Sequence, residues 1–499
     1  MKMVKSLLLG SAAGLVAVAG AQAADLPVKA KPVEYVKVCS LYGAGFWYVP
    51  GTDTCLKVGS YVRVQTEWDA NGGGIPIGFG NNTAAAAGRF TRTDTNDLAF
   101  RTRAALSIDL RTQTEYGTLR SYLEVGAQQT TPNDATEAVF FDRGFIQFAG
   151  FMAGRIRSYF DINSFAPYSY SNNRVSGDTG ASGIYGIAYT AQFGNGVTAS
   201  LSFEDGGASA AGVTNGGGRG HMIANMSMPE FALGATAFDN KGFTFPDVVG
   251  ALRIDQAWGY AQIAAALHDA SGGYYGTTLT GAEVNGHPGE KQGFAVTGGF
   301  TLNDIFGMKG DQFAMQAAYS QGAAGYVTRA TGAFQVYGSG HSAGFGWVTD
   351  GVFAGTTPAG SSIELTTVWG INGAIQHFWT PKWRTSLYGG YVEVDYDGTA
   401  KTLICSGAGG LAGAGVALTQ VAGSSCNPNF SWWQVGTRTQ WNPHPDLDIG
   451  VDILYNKLNT AFGGFATLAA NGARSPGVYA IEDQNVLSVL FRIQRNFLP

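Results

Sequence analysis

Residues 56–497 hold about sixteen segments of strand length in which apolar and polar side chains alternate, and the connections between them run short, long, short, long. Few folds accept that pattern. A strand with one apolar and one polar face must alternate with period two. In 56–68, Leu56, Val58, Val62, Val64 and Trp68 share one face, and Lys57, Tyr61, Arg63, Gln65 and Glu67 the other. In 98–111, Phe100, Ala104, Leu106, Ile108 and Leu110 oppose Arg101, Arg103, Ser107, Asp109 and Arg111. In 447–455, Leu447, Ile449, Val451, Ile453 and Tyr455 oppose Asp448 and Asp452. In 485–497, Leu487, Val489, Phe491, Ile493 and Phe497 oppose Ser488, Arg492, Gln494 and Asn496. A soluble sandwich with one wet face could share this patterning. The number of segments, with no linker or composition shift to divide the chain, favours one closed sheet. The expectation is an all-β transmembrane antiparallel barrel of about 16 strands, or 18 if 221–238 forms a further hairpin.

The connections carry the same signal. Gln113-Thr114-Glu115-Tyr116, Gly194-Asn195-Gly196, Thr380-Pro381-Lys382 and Asn442-Pro443-His444-Pro445 are tight and rich in turn formers. The gaps near 69–97, 159–183, 205–246, 269–290, 322–362, 397–430 and 459–484 are long and rich in Gly, Ser, Thr and Asn. Short turns on one rim and long loops on the other mark a membrane barrel. Aromatics near segment ends (Trp68, Phe148, Phe151, Trp258, Tyr260, Trp379, Trp383, Trp441 and Tyr455) fit interfacial girdles.

Lys2 and Lys5, an apolar stretch over 6–20 and Ala21-Gln22-Ala23 read as a secretory signal peptide over 1–23. Residues 24–55 then form a periplasmic amino-terminal segment and 56–499 the barrel. Without Lys2 and Lys5 the chain has 29 basic and 36 acidic residues, net −7. No nucleic-acid partner is expected of an acidic chain. Four cysteines in a secreted chain suggest two disulfides, with Cys39–Cys55 and Cys405–Cys426 the simplest of three pairings. Neither spacing fits a zinc site.

No enzyme is expected. Gly340-His341-Ser342-Ala343-Gly344 matches a nucleophile elbow, but it lies in a glycine-rich loop with no helix pattern after it. Gly407-x-Gly409-x-x-Ala412 lacks the βαβ context of a dinucleotide site. His221, His268, His287, His341, His377 and His444 are scattered, so no cofactor and no metal site is expected.

The stretch Ala24-Asp25-Leu26-Pro27-Val28-Lys29-Ala30, then Val36-Lys37-Val38-Cys39-Ser40 and Tyr42-Gly43-Ala44-Gly45-Phe46-Trp47-Tyr48-Val49-Pro50-Gly51-Thr52-Asp53-Thr54-Cys55-Leu56-Lys57, resembles the amino-terminal signature of the alphaproteobacterial general porins. Phe145-Ile146-Gln147-Phe148-Ala149-Gly150, the run from Asp247-Val248-Val249 to Ala257-Trp258-Gly259, and Phe491-Arg492-Ile493-Gln494-Arg495-Asn496-Phe497 extend the likeness across the chain. The resemblance implies a homotrimer in outer-membrane lipid that lets small hydrophilic solutes and ions diffuse passively. Such barrels commonly end on an aromatic residue read by the barrel assembly machinery. Phe497 fits that role, although Leu498 and Pro499 follow it.

In that family the third long loop narrows the lumen. Here it spans roughly 159–183 and carries Asp161, Arg174 and Asp178. Acids on the loop facing basic groups on the wall would create a transverse field that favours polar solutes. Arg63, Arg101, Arg103, Arg120, Arg155 and Arg157, all placed on the inward face by alternation, are the expected wall partners. The alternatives are a substrate-selective channel, for sugars for example, and a non-transporting barrel at the cell surface.

Overall fold

The computed structural model describes residues 38–69, 98–131, 138–163, 167–170, 179, 183–206, 219–227, 239–242, 244–276, 283–328, 332–338, 341–406, 419–420, 425–468 and 476–497. Sixteen antiparallel strands close into a barrel. In chain order they are β1 Thr54–Asp69, β2 Leu98–Thr114, β3 Gly117–Thr131, β4 Ala138–Phe148, β5 Phe151–Ile156, β6 Ile184–Gly194, β7 Val197–Glu204 and β8 Asp247–Gln256. They continue as β9 Gly259–Asp269, β10 Gln292–Asn303, β11 Gln312–Gln321, β12 Thr367–Thr380, β13 Trp383–Asp395, β14 Phe430–His444, β15 Leu447–Asn459 and β16 Gln484–Phe497. Each pairs with its chain neighbour, and β16 closes on β1 with Phe497 opposite Ser60 and Ser488 opposite Asp69. Strand β7 pairs directly with β8, Glu204 opposite Asp247, so no hairpin intervenes there and sixteen is the barrel's count. Of 221–238, Ile223–Asn225 is a short strand outside the barrel, and residues 228–238 lie outside the described residues.

The faces are inverted relative to a soluble protein. Val64, Leu106, Ile146, Leu201, Ile263 and Leu387 are exposed, whereas Gln65, Asp109, Arg438, Asp452 and Arg492 are buried. An apolar band outside and polar side chains inside suit a wall between lipid and water. On the short-turn rim, Ala149 (φ 49°) with Gly150 (φ 85°), and Asn195 (φ 49°) with Gly196 (φ 75°), supply the left-handed pairs of tight hairpins. Aromatics ring this rim outside: Phe151 and Trp379 are exposed, and Trp383 stacks on Trp441 with centroids 5.7 Å apart. Tyr260 departs from the expected girdle. It faces the lumen, and its hydroxyl donates to Asn163 at 3.1 Å.

Both local disulfides are formed. Cys39–Cys55 ties the segment before β1 to its base, where Trp47 and Tyr48 pair with Leu56 and Cys55. Numbering the connections on the long-loop rim in chain order, loop 3 joins β5 to β6, loop 4 β7 to β8, loop 6 β11 to β12, loop 7 β13 to β14 and loop 8 β15 to β16. Cys405–Cys426 closes loop 7, joining the end of the helix Gly398–Ser406 to the approach to β14.

On the opposite rim the long loops pack together. Gly332–Gly338 and Ser342–Val348 of loop 6 form a hairpin; the second strand runs parallel to Gly477–Ile481 of loop 8, with Ser342 opposite Ala480. Ile223–Asn225 of loop 4 pairs with Gly351–Phe353 of loop 6. Met222, Phe345, Trp347, Ile404, Phe462 and Tyr479 are buried in one core drawn from loops 4, 6, 7 and 8. The glycine-rich sixth loop is therefore the centre of a packed cap.

Two outcomes follow from this architecture. Leu106→Arg, at the middle of β2 on the outer face, should cost about 2–4 kcal/mol in urea unfolding from lipid vesicles, and an arginine at the adjacent inward Ser107 much less. In loop 4, burial pushes the Asp239 carboxyl up to about 7 from 3.8. The folded loop therefore prefers the protonated acid. Its contribution to stability is full below about pH 4 and falls by up to ~1.4 kcal/mol per pH unit as pH rises towards 7. Protection factors of residues 239–242, corrected for the intrinsic pH dependence of amide exchange, should be lower at pH 8 than at pH 5.5, and Asp239→Asn should remove the difference.

Candidate functional site: the lumen and its inward loop

Loop 3 leaves β5 after Ile156 and rejoins the barrel at Ile184. Its root is held by buried carboxylates. Glu204, at the end of β7, accepts from Ser158 Oγ at 2.6 Å and from the Tyr159 amide at 2.8 Å. Asp161 accepts from the Thr179 amide at 2.8 Å and the Thr179 hydroxyl, binding the two limbs of the loop together. Arg219, from loop 4, donates to Asp161 at 2.6 Å and to Ser158 at 2.8 Å. Burial opposes charge on Arg219, but Asp161 beside it holds the guanidinium above its ordinary value. Asp161 is thus an internal staple, and its close cation comes from another loop. Arg157 lies beyond the end of β5, with its Nε 3.7 Å from Asp161.

From this root the loop crosses the lumen. Gln262 of β9 donates to the Tyr159 carbonyl at 2.9 Å. Asn163 donates to the Met315 carbonyl of β11 at 3.0 Å and accepts from Thr301 of β10 at 2.9 Å. Residues 167–170 then reach the far wall. Arg438 of β14 donates to the Pro167 carbonyl, and Arg492 of β16 to the Tyr170 carbonyl at 2.7 Å. Asp452 of β15 accepts from Ser169 Oγ at 2.9 Å and the Tyr170 amide at 2.5 Å, and also from Tyr388 at 2.6 Å. The Tyr170 hydroxyl donates to Asp448. Its ring lies 4.3 Å from the Arg492 guanidinium and 5.0 Å from that of Arg438. Such contacts are stronger in a partly desolvated site than at an exposed surface.

The expected wall arginines divide. Arg63 and Arg103 are directly opposite one another on β1 and β2, and Arg101 is opposite Gln65, which accepts from Arg492 at 3.2 Å. Arg63 donates to Gln494 at 2.7 Å. Arg103 pairs with Asp142 and lies 3.7 Å from the Phe140 ring. The pairing slips between Glu124 and Val125, adding a residue to β4, so Asp142 and its neighbour Arg143 both face inward. Arg120 sits near the short-turn rim, three residues in from Gly117, and forks onto Asp109 at 3.0 and 2.9 Å beside Arg111. With Tyr122, Glu124, Arg143 and Phe145 it lines a cavity of about 440 Å³ against β3 and β4.

Arg155 does not face the lumen. It is opposite Tyr185, which shares the exposed outer face with Ile187 and Tyr189, and its guanidinium lies 5.5 Å from the Tyr185 ring. Counted from the exposed Phe151, alternation along β5 gives Arg155 the outward register, although the side chain itself is buried. Arg174 and Asp178 lie outside the described residues. Arg384, Arg438, Arg492, Asp448, Asp452 and Tyr170 were not singled out from sequence. Alternation places Arg492, Asp448 and Asp452 on inward faces; the loop they meet lies 278 to 322 positions away and leaves no local signal.

Asp452→Ala removes three acceptor contacts to residues that stay buried. It should free residues 167–170 from the far wall, raise single-channel conductance and speed proteolysis of loop 3, at a cost of roughly 1.5–3 kcal/mol for each charge-assisted bond that finds no new partner. Unchanged conductance and cleavage would mean that these contacts do not hold the loop.

Comparison with known proteins agrees with this geometry. The porin subfamily profile matches residues 25–489. Porin Omp2b of Brucella suis is 34% identical over 265 residues, 51% of this chain and 64% of that protein. Porin Omp2b of Brucella abortus (strain 2308) is 34% identical over 266 residues, 51% of this chain and 63% of that protein. The alignment thus spans somewhat under two thirds of these relatives. Among solved structures, the outer membrane channel DcaP of Acinetobacter baumannii superposes over 90% of this chain and 99% of its own, with TM-score 0.56 at 14% identity, a likeness of fold. A sixteen-stranded barrel with a polar interior, matched over nearly its whole length by the porin profile, belongs to the porin family and is a β-barrel of the outer membrane.

Proposed function

We propose that this chain forms a water-filled channel through which small hydrophilic solutes and ions diffuse passively. The observation that carries this reading is the lumen: a wall lined with charged side chains, and a loop crossing it on hydrogen bonds to Asp452, Arg438 and Arg492. A charged interior costs little only where water fills it. The inward guanidinium groups of Arg63, Arg101 and Arg103 and the carboxylates Asp448 and Asp452 act on passing ions as rings of fixed charge. Arg174 and Asp178 belong to the same constriction loop.

The working form is a homotrimer. Residues 1–23 are removed on export, 24–55 stay on the periplasmic side, and Phe497 is read by the barrel assembly machinery. Loops 4, 6, 7 and 8 pack on a common core, and a mouth narrowed by them would favour small solutes over bulky ones.

Planar-bilayer recording under a salt gradient tests the proposal. Purified protein should open in steps of three, and Arg63→Glu should move the reversal potential towards cation preference. Silence from a heat-modifiable, folded barrel would contradict the open channel. An unmoved reversal potential would place Arg63 away from the ion path.

A further inference from the structure

Three side chains far apart in sequence converge where the cap meets the barrel. His221 belongs to loop 4, His268 to the outer end of β9 and Asp350 to loop 6. All three are buried, and one donor atom of each lies within 4.8 Å of the other two. The imidazole rings meet edge to face with centroids 4.9 Å apart. His268 Nε2 is 3.8 Å from Asp350 Oδ2. Among the described residues, neither His221 Nε2 nor His268 Nε2 has a hydrogen-bond partner, although both atoms are buried.

The surroundings orient these groups. His268 Nδ1 is 2.8 Å from Asp247 Oδ1, and the Tyr326 hydroxyl donates to Asp247 Oδ2 at 2.7 Å. A carboxylate on the far nitrogen is the usual support of a metal-binding histidine, since it fixes the tautomer that turns Nε2 towards the ion. Asp350 accepts from the Met222 amide and from the Ala324 amide, each at 2.7 Å, so its carboxylate is fixed in place with lone pairs remaining. An ion pair of His268 with Asp247 and Asp350 would explain His268 alone and leave the His221 nitrogen buried without a partner.

We propose that His221 Nε2, His268 Nε2 and the Asp350 carboxylate bind one divalent ion of the zinc class, which fastens loops 4 and 6 to strand β9. Two imidazoles and one carboxylate suit that class, with water in the fourth position. Tetrahedral zinc at these bond lengths needs donors about 3.3 Å apart, so the three side chains close by roughly an ångström on binding. Asp247 acts as the positioning residue behind His268.

The test uses the full mature protein, folded in detergent and stripped with chelator, titrated with Zn²⁺ alone by calorimetry and checked for metal content after gel filtration. One equivalent per chain is expected, with a rise in the heat-modification midpoint. His221→Ala should abolish the stoichiometric uptake, and Asp247→Asn should weaken it about 10–100-fold. Heat-modifiable migration on gels establishes that each variant is folded; His221→Gln replaces His221→Ala should the latter fail. Absence of saturable uptake by the wild type overturns the proposal without reference to any variant. Equal uptake and equal midpoint shift by wild type and folded His221 variant would overturn it too, as binding elsewhere.

Discussion

The molecule depends on closure. Within a bilayer no water is available to satisfy a strand edge, so a sheet that spans it must return to its first strand. Here that return is the pairing of β16 with β1, from Phe497 opposite Ser60 to Ser488 opposite Asp69. Once the ring is closed, side-chain alternation sends every second residue to lipid and every other to the interior. Apolar residues are confined outside by the cost of wet hydrocarbon, and charges inside by the cost of burying them in it. The polar lumen is the consequence of closing an alternating sheet, and it supplies the partners on which loop 3 is built.

A barrel of sixteen strands leaves a wide passage, and what fills it decides what passes. Loop 3 is secured at two places by different chemistry. At its root, Asp161, Thr179, Ser158, Glu204 and Arg219 form a buried hydrogen-bonded cluster. Across the lumen, backbone groups of 167–170 are read by Asp452, Arg438 and Arg492. Backbone groups carry part of the second attachment, and the side chains of Ser169 and Tyr170 carry the rest. The four linked loops on the outer rim add a second layer, with an apolar core of their own, so the mouth is built structure as well.

Much of the barrel was legible in the sequence because its physics is local. The phase of alternation in β1, β2, β15 and β16 put Arg63, Arg101, Arg103, Asp448, Asp452 and Arg492 on the inner face, and the turn residues marked one rim. Legibility failed where phase or distance broke the pattern. Arg155 shares the register of the exposed Phe151 and lies against Tyr185, not on the inner face. Tyr260, at a strand end, looked like a girdle residue but answers Asn163 in the lumen. Asp161 lies 3.7 Å from the expected partner Arg157 but is held closer by Arg219, a loop-4 residue that no spacing connects to it. The histidines appeared scattered because 221 and 268 become neighbours only once loop 4 folds onto β9.

The central claim is that loop 3 is seated on the far wall rather than hanging in the channel. Amide hydrogen exchange tests it most directly. With the Tyr170 amide donating to Asp452 and the Thr179 amide to Asp161, these two positions should exchange as slowly as amides of the neighbouring strands. Exchange as fast as that of an exposed loop would contradict the account.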